Sequence, residues 1–311
     1  MAAELRIATR KSRLALWQAE HVAACLRTAH PGLSVSLLPL VTLGDRIQNR
    51  ALAEVGGKGL FIKELETAML EGRAELAVHS MKDIPSVLPP GFMIGAALER
   101  ADARDAFISF HYESLAALPP GARVGTSSLR RQSQLRHTRP DLEILVLRGN
   151  VETRLRKLDS GEFDATVLAV AGLERLGLAA RIREQLSPQQ MLPAVGQGVI
   201  GIECVEAHEA VRALIAPLEH APTRSCLDAE RAFAARLGGS CQSPIAAFAE
   251  LAHGTIYLRG LVGSPDGAKI FTDDIAGTEI ESALLGTALA DRLLAAGAGS
   301  LLEALATSGG H

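Results

Sequence analysis

At 311 residues, 48% of them hydrophobic and 22% charged, with 29 Gly and 14 Pro spread along the length, the chain has the profile of an ordinary globular protein of two or three compact domains. A net charge of −3 and only 4% aromatic residues argue against a basic surface that coats or stacks on nucleic acid. No apolar run approaches the roughly 20 residues that span a bilayer, no export or transit signal precedes the first strand, and Cys25, Cys204, Cys226 and Cys241 stand singly, without a disulfide framework or a metal-type grouping, so a cytoplasmic protein is expected.

In chain order, residues 4–10 read as a strand, 12–28 as an amphipathic helix and 33–41 as a second strand, a β-α-β opening that predicts a parallel sheet. A helix over 60–70, a strand over 74–78 and a proline-terminated turn at 81–85 follow, and Pro-Pro-Gly at 89–91 marks an exposed turn. A second unit of the same rhythm begins near Asp105, with strand 123–125, helix 128–135, strand 144–147, helix 151–158 and the apolar strand 165–170. The glycine-rich stretch 193–198 reads as a return crossing into a strand over 199–203, whose sheet periodicity does not assign. Beyond 221 the pattern becomes a helix over 224–237, a Gly-Gly-Ser-Cys turn, strands over 245–252, 255–262 and 269–273, and a last helix over 279–296 with Thr278 as N-cap. The fold class predicted is α/β: two similar α/β units followed by a small α+β domain.

The cations sit where helix physics disfavours them. Arg10, Lys11 and Arg13 crowd the start of the first helix around the N-cap candidate Ser12, and Arg130 and Arg131 fall in the first turn after Thr126-Ser127-Ser128. Each such charge costs about 0.3–1 kcal/mol unless an anion also occupies the helix N-terminus, in which case N–H groups and guanidinium converge on it. Arg148, Arg154 and Arg175 add to the cluster, and arginine in place of lysine suits bidentate recognition of carboxylate or phosphate. Lys58, in Gly-Gly-Lys-Gly, offers a further contact, but no nucleotide-binding loop pattern is present. Asp83, beside Lys82 in the proline-terminated turn, suits stabilisation of a cationic intermediate and proton transfer, and Cys241 follows two glycines and a serine in a turn where a thiol is reactive. Taken singly, each has a blander reading: surface pairs with Glu143, Glu152 and Glu174, a turn-capping aspartate, an inert core thiol, and for His79 a satisfied structural histidine.

Taken together, eight segments in order resemble the porphobilinogen deaminase family over almost the whole chain: RIATRKSRLALWQ (6–18), VGGKGLFIKE (55–64), AVHSMKDIP (77–85), VGTSSLRRQ (124–132), LRGNVETR (147–154), LAVAGLERLGL (168–178), LPAVGQGVIG (192–201) and LGGSCQSP (237–244). The resemblance implies two domains like type II periplasmic binding proteins, 1–98 with 199–216 and 104–192, closing a cleft, and a third domain, 221–311, whose Cys241 carries a dipyrromethane through a thioether. It implies a transferase that deaminates porphobilinogen, attacks the resulting azafulvene with the free α-carbon of the growing chain, and after four rounds releases hydroxymethylbilane. Asp83 is then the catalytic residue; Lys82, Thr126, Ser128, Arg130, Arg131, Arg154 and Asp45 hold the cofactor, and Arg10, Ser12, Gln18, Lys58, Arg148 and Arg175 the substrate. A monomer with no nucleic-acid or membrane partner is expected. Glu54, where the family often has lysine, and Ser240, where it usually has glycine, are departures. A carboxylate-binding solute receptor is the alternative; the missing export signal and the third domain count against it.

Overall fold

The structure is a computed structural model that describes residues 4–46, 62–238 and 243–308. The first unit is built from β1 (Glu4–Arg10), α1 (Arg13–Ala29), β2 (Ser34–Leu40), α2 (Leu43–Arg46), α3 (Lys63–Leu70), β3 (Leu76–Ser80) and β4 (Phe92–Ala97). The second follows as β5 (Asp105–Ser109), β6 (Arg123–Gly125), α4 (Leu129–Thr138), β7 (Glu143–Leu145), α5 (Val151–Asp159), β8 (Ala165–Ala169), α6 (Val170–Arg175) and β9 (Glu184–Leu186). The chain returns through β10 (Ile200–Val205) and α7 (Glu209–Ile215), then forms α8 (Ala221–Arg236), β11 (Ile245–Ala252), β12 (Thr255–Gly263), β13 (Ile270–Thr278), α9 (Ser282–Leu293) and α10 (Gly299–Ser308). None of the described helices is long and apolar enough to cross a membrane.

The opening is parallel as expected: β1 pairs with β2 from Glu4 opposite Ser34 to Arg10 opposite Leu40, and with β3 on its other side. Helix α1 packs on this sheet because Ala15, Gln18, Ala19, Val22, Ala23 and Leu26 recur at three- and four-residue spacing and are buried. The first sheet has the order β2-β1-β3-β10-β4 and the second β7-β6-β8-β5-β9. In each, the strand that starts directly after a crossing segment, β10 in the first and β5 in the second, runs antiparallel to the central strand beside it. The strand that periodicity leaves unassigned therefore belongs to the first sheet. The C-terminal unit is a three-stranded antiparallel sheet, β11-β12-β13, packed with α8 and α9 around Phe233, Leu258 and Leu289. Gly260 is required there, since a Cβ would lie 2.5 Å from the Phe233 ring.

Several element boundaries differ from the sequence expectation, each for a backbone reason. Strand β13 pairs with β12 as far as Thr278 opposite Thr255, so Thr278 closes a strand, its hydroxyl donates to Glu281, and α9 starts only at Ser282. That helix ends at Leu293, and Gly297, at φ 109°, breaks the path before α10 resumes. Strand β3 lies two residues beyond 74–78 because the Arg73 and Ala74 N–H groups still bond the Ala68 carbonyl at the end of α3. Strands β4, β5 and β9 and helices α2, α6, α7 and α10 are additions. The Gly-Gly-Ser-Cys turn and segment 47–61, with Glu54, lie outside the described residues.

One buried carboxylate ties the units together. Glu230 on α8, fully buried, accepts both Arg100 N–H groups at 2.7 and 2.9 Å, the Gly196 N–H at 2.7 Å and the Ala249 N–H at 2.9 Å. Arg100 lies in the outgoing crossing and Gly196 in the return, so both crossings are fastened to the C-terminal unit. Glu230→Ala leaves the buried Arg100 charge without its carboxylate, with only the Ala249 carbonyl at 3.3 Å as described acceptor, and two backbone N–H groups without theirs, which is expected to destabilise the protein by about 3–5 kcal/mol. A denaturant midpoint equal to the parent's would contradict this role.

Candidate active site

Strands β1 and β3 deliver their carboxyl ends to the same edge of the first sheet, where open α/β sheets bind ligands. Arg10 ends β1, Ser12 caps α1 by accepting the Ala15 N–H at 3.3 Å, and Met81–Asp83 forms a single 3-10 turn after β3. Arg10, Ser12, Gln18 and Asp83 line one cavity with Ile62, His79 and Ser80. Gln18 Nε2 donates to the Ser80 hydroxyl at 2.7 Å, which fixes the wall next to the turn. His79 Nε2 lies 2.8 Å from Glu203 with both side chains buried, the structural role expected of it.

A second cavity lies where the three units meet, lined by Lys82, Ile84 and Ser86, by Ser128 and Arg130, and by Ala234, Ser243 and Ile245. Lys82 and Asp83 are consecutive, so this one turn borders both cavities. Ser243 stands just past the turn that contains Cys241; Cys241 and Lys58 lie outside the described residues, and Asp45 is placed only as backbone in α2.

The second wall is the N-terminus of α4. Ser128 accepts the Arg131 N–H at 3.4 Å, and buried Thr126 accepts the Ser128 N–H at 3.2 Å, so both hydroxyls serve the helix start. Arg130 and Arg131 are nearly fully buried and share Asp105, at 2.8 and 2.7 Å. Burial alone would raise the Asp105 pKa, but the two guanidinium groups hold it far below the usual carboxylate range. Gln197 donates to the same carboxylate at 3.0 Å and to the Ala103 carbonyl at 2.6 Å. Sequence reasoning overlooks both Asp105 and Gln197; a lone acid heading the apolar run Ala-Phe-Ile is the signal that points to the first. The protein thus supplies part of the anion that the crowded helix start demands.

The remaining cations are strongly desolvated. Burial, then the repulsion of Arg131 and Arg148 against the attraction of Asp83, lowers Arg154 to about 10; its Nε donates to the Gly149 carbonyl at 2.8 Å. Burial likewise lowers Lys82 to about 8, with Asp83 and Asp105 opposing Arg131 and Arg130. Arg175 stands apart, donating to the Gly198 carbonyl at 2.7 Å, with burial lowering it to about 10. Of the acidic surface partners, Glu152 pairs with exposed Arg13 at 3.2 Å, not with the cleft arginines. Around the turn, Lys82, Arg130, Arg131 and Arg154 face two described carboxylates, Asp83 and Asp105, in a desolvated cleft. That surplus of positive charge fits a polycarboxylate such as a dipyrromethane, which bears an acetate and a propionate on each ring.

Comparison with known proteins agrees with this chemistry. Residues 5–213 match the family model for the porphobilinogen deaminase dipyrromethane cofactor binding domain, and residues 224–295 that for the porphobilinogen deaminase C-terminal domain. The chain is 54% identical over 299 residues to the porphobilinogen deaminase of Chromobacterium violaceum, covering 96% of this chain and 97% of that one. Among solved structures, it is similar to the periplasmic aliphatic sulphonate binding protein SsuA of Escherichia coli (13% identity, 76% of this chain and 70% of that one, TM-score 0.41) and to the methionine binding protein MetQ (14%, 68% and 89%, 0.42). The chain therefore belongs to the porphobilinogen deaminase family, the transferases that deaminate porphobilinogen and condense four molecules into hydroxymethylbilane on a dipyrromethane primer.

Proposed function

We propose that the cations around the Lys82-Asp83 turn bind the acetate and propionate groups of substrate and primer, and that Asp83 stabilises positive charge and moves protons in each condensation. The observation that carries this reading is the surplus of desolvated cations beside a single half-buried turn carboxylate. Lys82, Thr126, Ser128, Arg130, Arg131, Arg154 and Asp45 hold the primer, and Cys241 carries it by a thioether. Arg10, Ser12, Gln18, Lys58, Arg148 and Arg175 receive the incoming porphobilinogen. The dipyrromethane, once attached, supplies an anchored ring with a free α-carbon on which the chain is extended.

The residues act through charge and position. The aminomethyl nitrogen takes a proton and leaves as ammonia with the C–N electron pair, so the substrate ring becomes positive at its pyrrole nitrogen. A carboxylate at Asp83 stabilises that charge more strongly in the cleft than in water, because its field is not screened. The same oxygen atoms can hand a proton to the departing amine and accept the one shed by the ring carbon. Every added ring brings two more carboxylates, and planar guanidinium groups hold these bidentately where a lysine offers a point charge. The units 1–98 with 199–216, 104–192 and 221–311 act as domains of a cytoplasmic monomer, without nucleic-acid or membrane partners.

Three outcomes test this. Intact mass of the purified protein should exceed the sequence mass by two linked pyrrole units, a gain that is lost in Cys241→Ser. Asp83→Asn should keep that gain and its unfolding midpoint while porphobilinogen consumption falls by about 100-fold or more; near-parent rates would remove the assigned role. Since Lys82 has its pKa lowered to about 8, it is protonated below that value and loses charge above it. In Cys241→Ser, whose primer site is open to free pyrroles, calorimetric affinity of that site for porphobilinogen should be level below about pH 8 and decline above it, and the decline should vanish when Lys82→Gln is added.

A further inference from the structure

Trp17 on α1 is the single tryptophan of the chain and is 38% exposed. Its ring stacks on His21, one turn along the helix, with centroids 5.2 Å apart and planes 10° from parallel. The Arg175 guanidinium, from the last residue of α6 in the second unit, sits 5.7 Å from the Trp17 ring centroid. The two helices approach closely there, since a Cβ on Gly172 of α6 would lie 3.6 Å from Leu14 of α1. Arg175 otherwise donates to the Gly198 carbonyl, and among the described residues no carboxylate forms an ion pair with it; Glu174 opposes the effect of its burial only from a distance.

An aromatic face and a carbonyl hold a guanidinium in place without neutralising it. A cation over a ring is attracted by the ring's quadrupole while its N–H edge keeps most of its five donors for another acceptor. An arginine side chain released from such a contact spreads over many rotamers, and ordering it again weakens binding. We propose that Trp17 is a positioning residue which fixes Arg175, across the junction of the first two units, in the orientation that receives a substrate carboxylate. The inference rests on the carboxylate-binding reading of Arg175 above.

The test measures kcat and KM for porphobilinogen consumption in Trp17→Leu, Trp17→Phe, Arg175→Gln and the double variant Trp17→Leu/Arg175→Gln. Trp17→Leu should raise KM by about tenfold with kcat within about twofold, and Trp17→Phe, which keeps a weaker aromatic face, by about threefold. In the Arg175→Gln background Trp17→Leu should add less than about twofold, because the two residues act as one. A readout without substrate accompanies this: tryptophan emission of Arg175→Gln should differ from the parent's, since removing the guanidinium changes the surroundings of the one indole. Unchanged emission, a parental KM in Trp17→Leu, or losses that multiply in the double variant would each overturn the proposal. If Trp17→Leu fails to fold, Trp17→Phe decides, and a parental KM in that variant overturns it. A parental KM in Arg175→Gln, by contrast, strikes down the carboxylate role of Arg175 itself, whereas a raised KM there with a parental KM in Trp17→Leu removes only the part given to Trp17.

Discussion

The cleft depends on keeping guanidinium groups charged and fixed where little water reaches them. Asp105 is the counterweight that makes this feasible. It is fully buried at the first position of β5, answers Arg130 and Arg131 together, and is held ionised by them. A well-packed apolar trio would commonly be at least as stable as such a buried ion cluster, so packing alone does not explain it. One carboxylate against two guanidinium groups leaves net positive charge at the start of α4, with donors already oriented before any ligand arrives. Preorganised donors of this kind need no rearrangement when they meet an anion.

The same cluster is built from the two segments that join the first two units. Asp105 begins the strand after the outgoing crossing, and Gln197, which donates to it, lies in the return crossing. Glu230 grips both crossings from the C-terminal unit through Arg100 and Gly196. That unit also holds the far end of α4: Arg136 donates to the Pro265 carbonyl at 2.6 Å, and His137 Nδ1 lies 3.0 Å from the Gly267 carbonyl. The helix that presents Arg130 and Arg131 is therefore seated at both ends, by Asp105 at its start and by the β12–β13 turn at its finish. The crossings touch the cation pair directly, through Gln197 and Asp105.

Much of this was legible in the residues. The parallel opening, the capping role of Ser12 and Ser128, and the gathering of Arg10 and Asp83 at strand ends follow from period, turn chemistry and helix electrostatics. What stayed hidden depends on contacts between residues distant in sequence. Asp105 lies 25 residues before Arg130, a partnership that exists only because β5 inserts beside β8 in its sheet. Periodicity cannot assign β10 to the first sheet, since nearly all of its positions are buried and carry no alternation. The extension of β13 to Thr278 is equally non-local: residues with a helix-start composition were drawn into a strand by nine successive pairings with β12. The Trp17–Arg175 contact needed two helices from different units to touch.

The two cation-crowded helix starts, alike in sequence, are resolved differently in space, and the difference bears on chemistry. At α1, Arg13 turns to the surface and pairs weakly with Glu152, while Arg10 is turned into the cavity that holds Asp83. At α4, both arginines are buried and, among the described residues, share one carboxylate, Asp105. The arginines of the second wall are therefore the more deeply buried, and Lys82, whose charge is opposed by Arg131 and Arg130, stands between the two cavities. On the proposed reading, anionic rings lie on the α4 side of the turn and Asp83 meets them from the first sheet. Under the role proposed for Asp83, the buried arginine pair at α4 receives acidic groups from the opposite wall, while Lys82 and Arg154 are the cations whose charge Asp83 itself offsets.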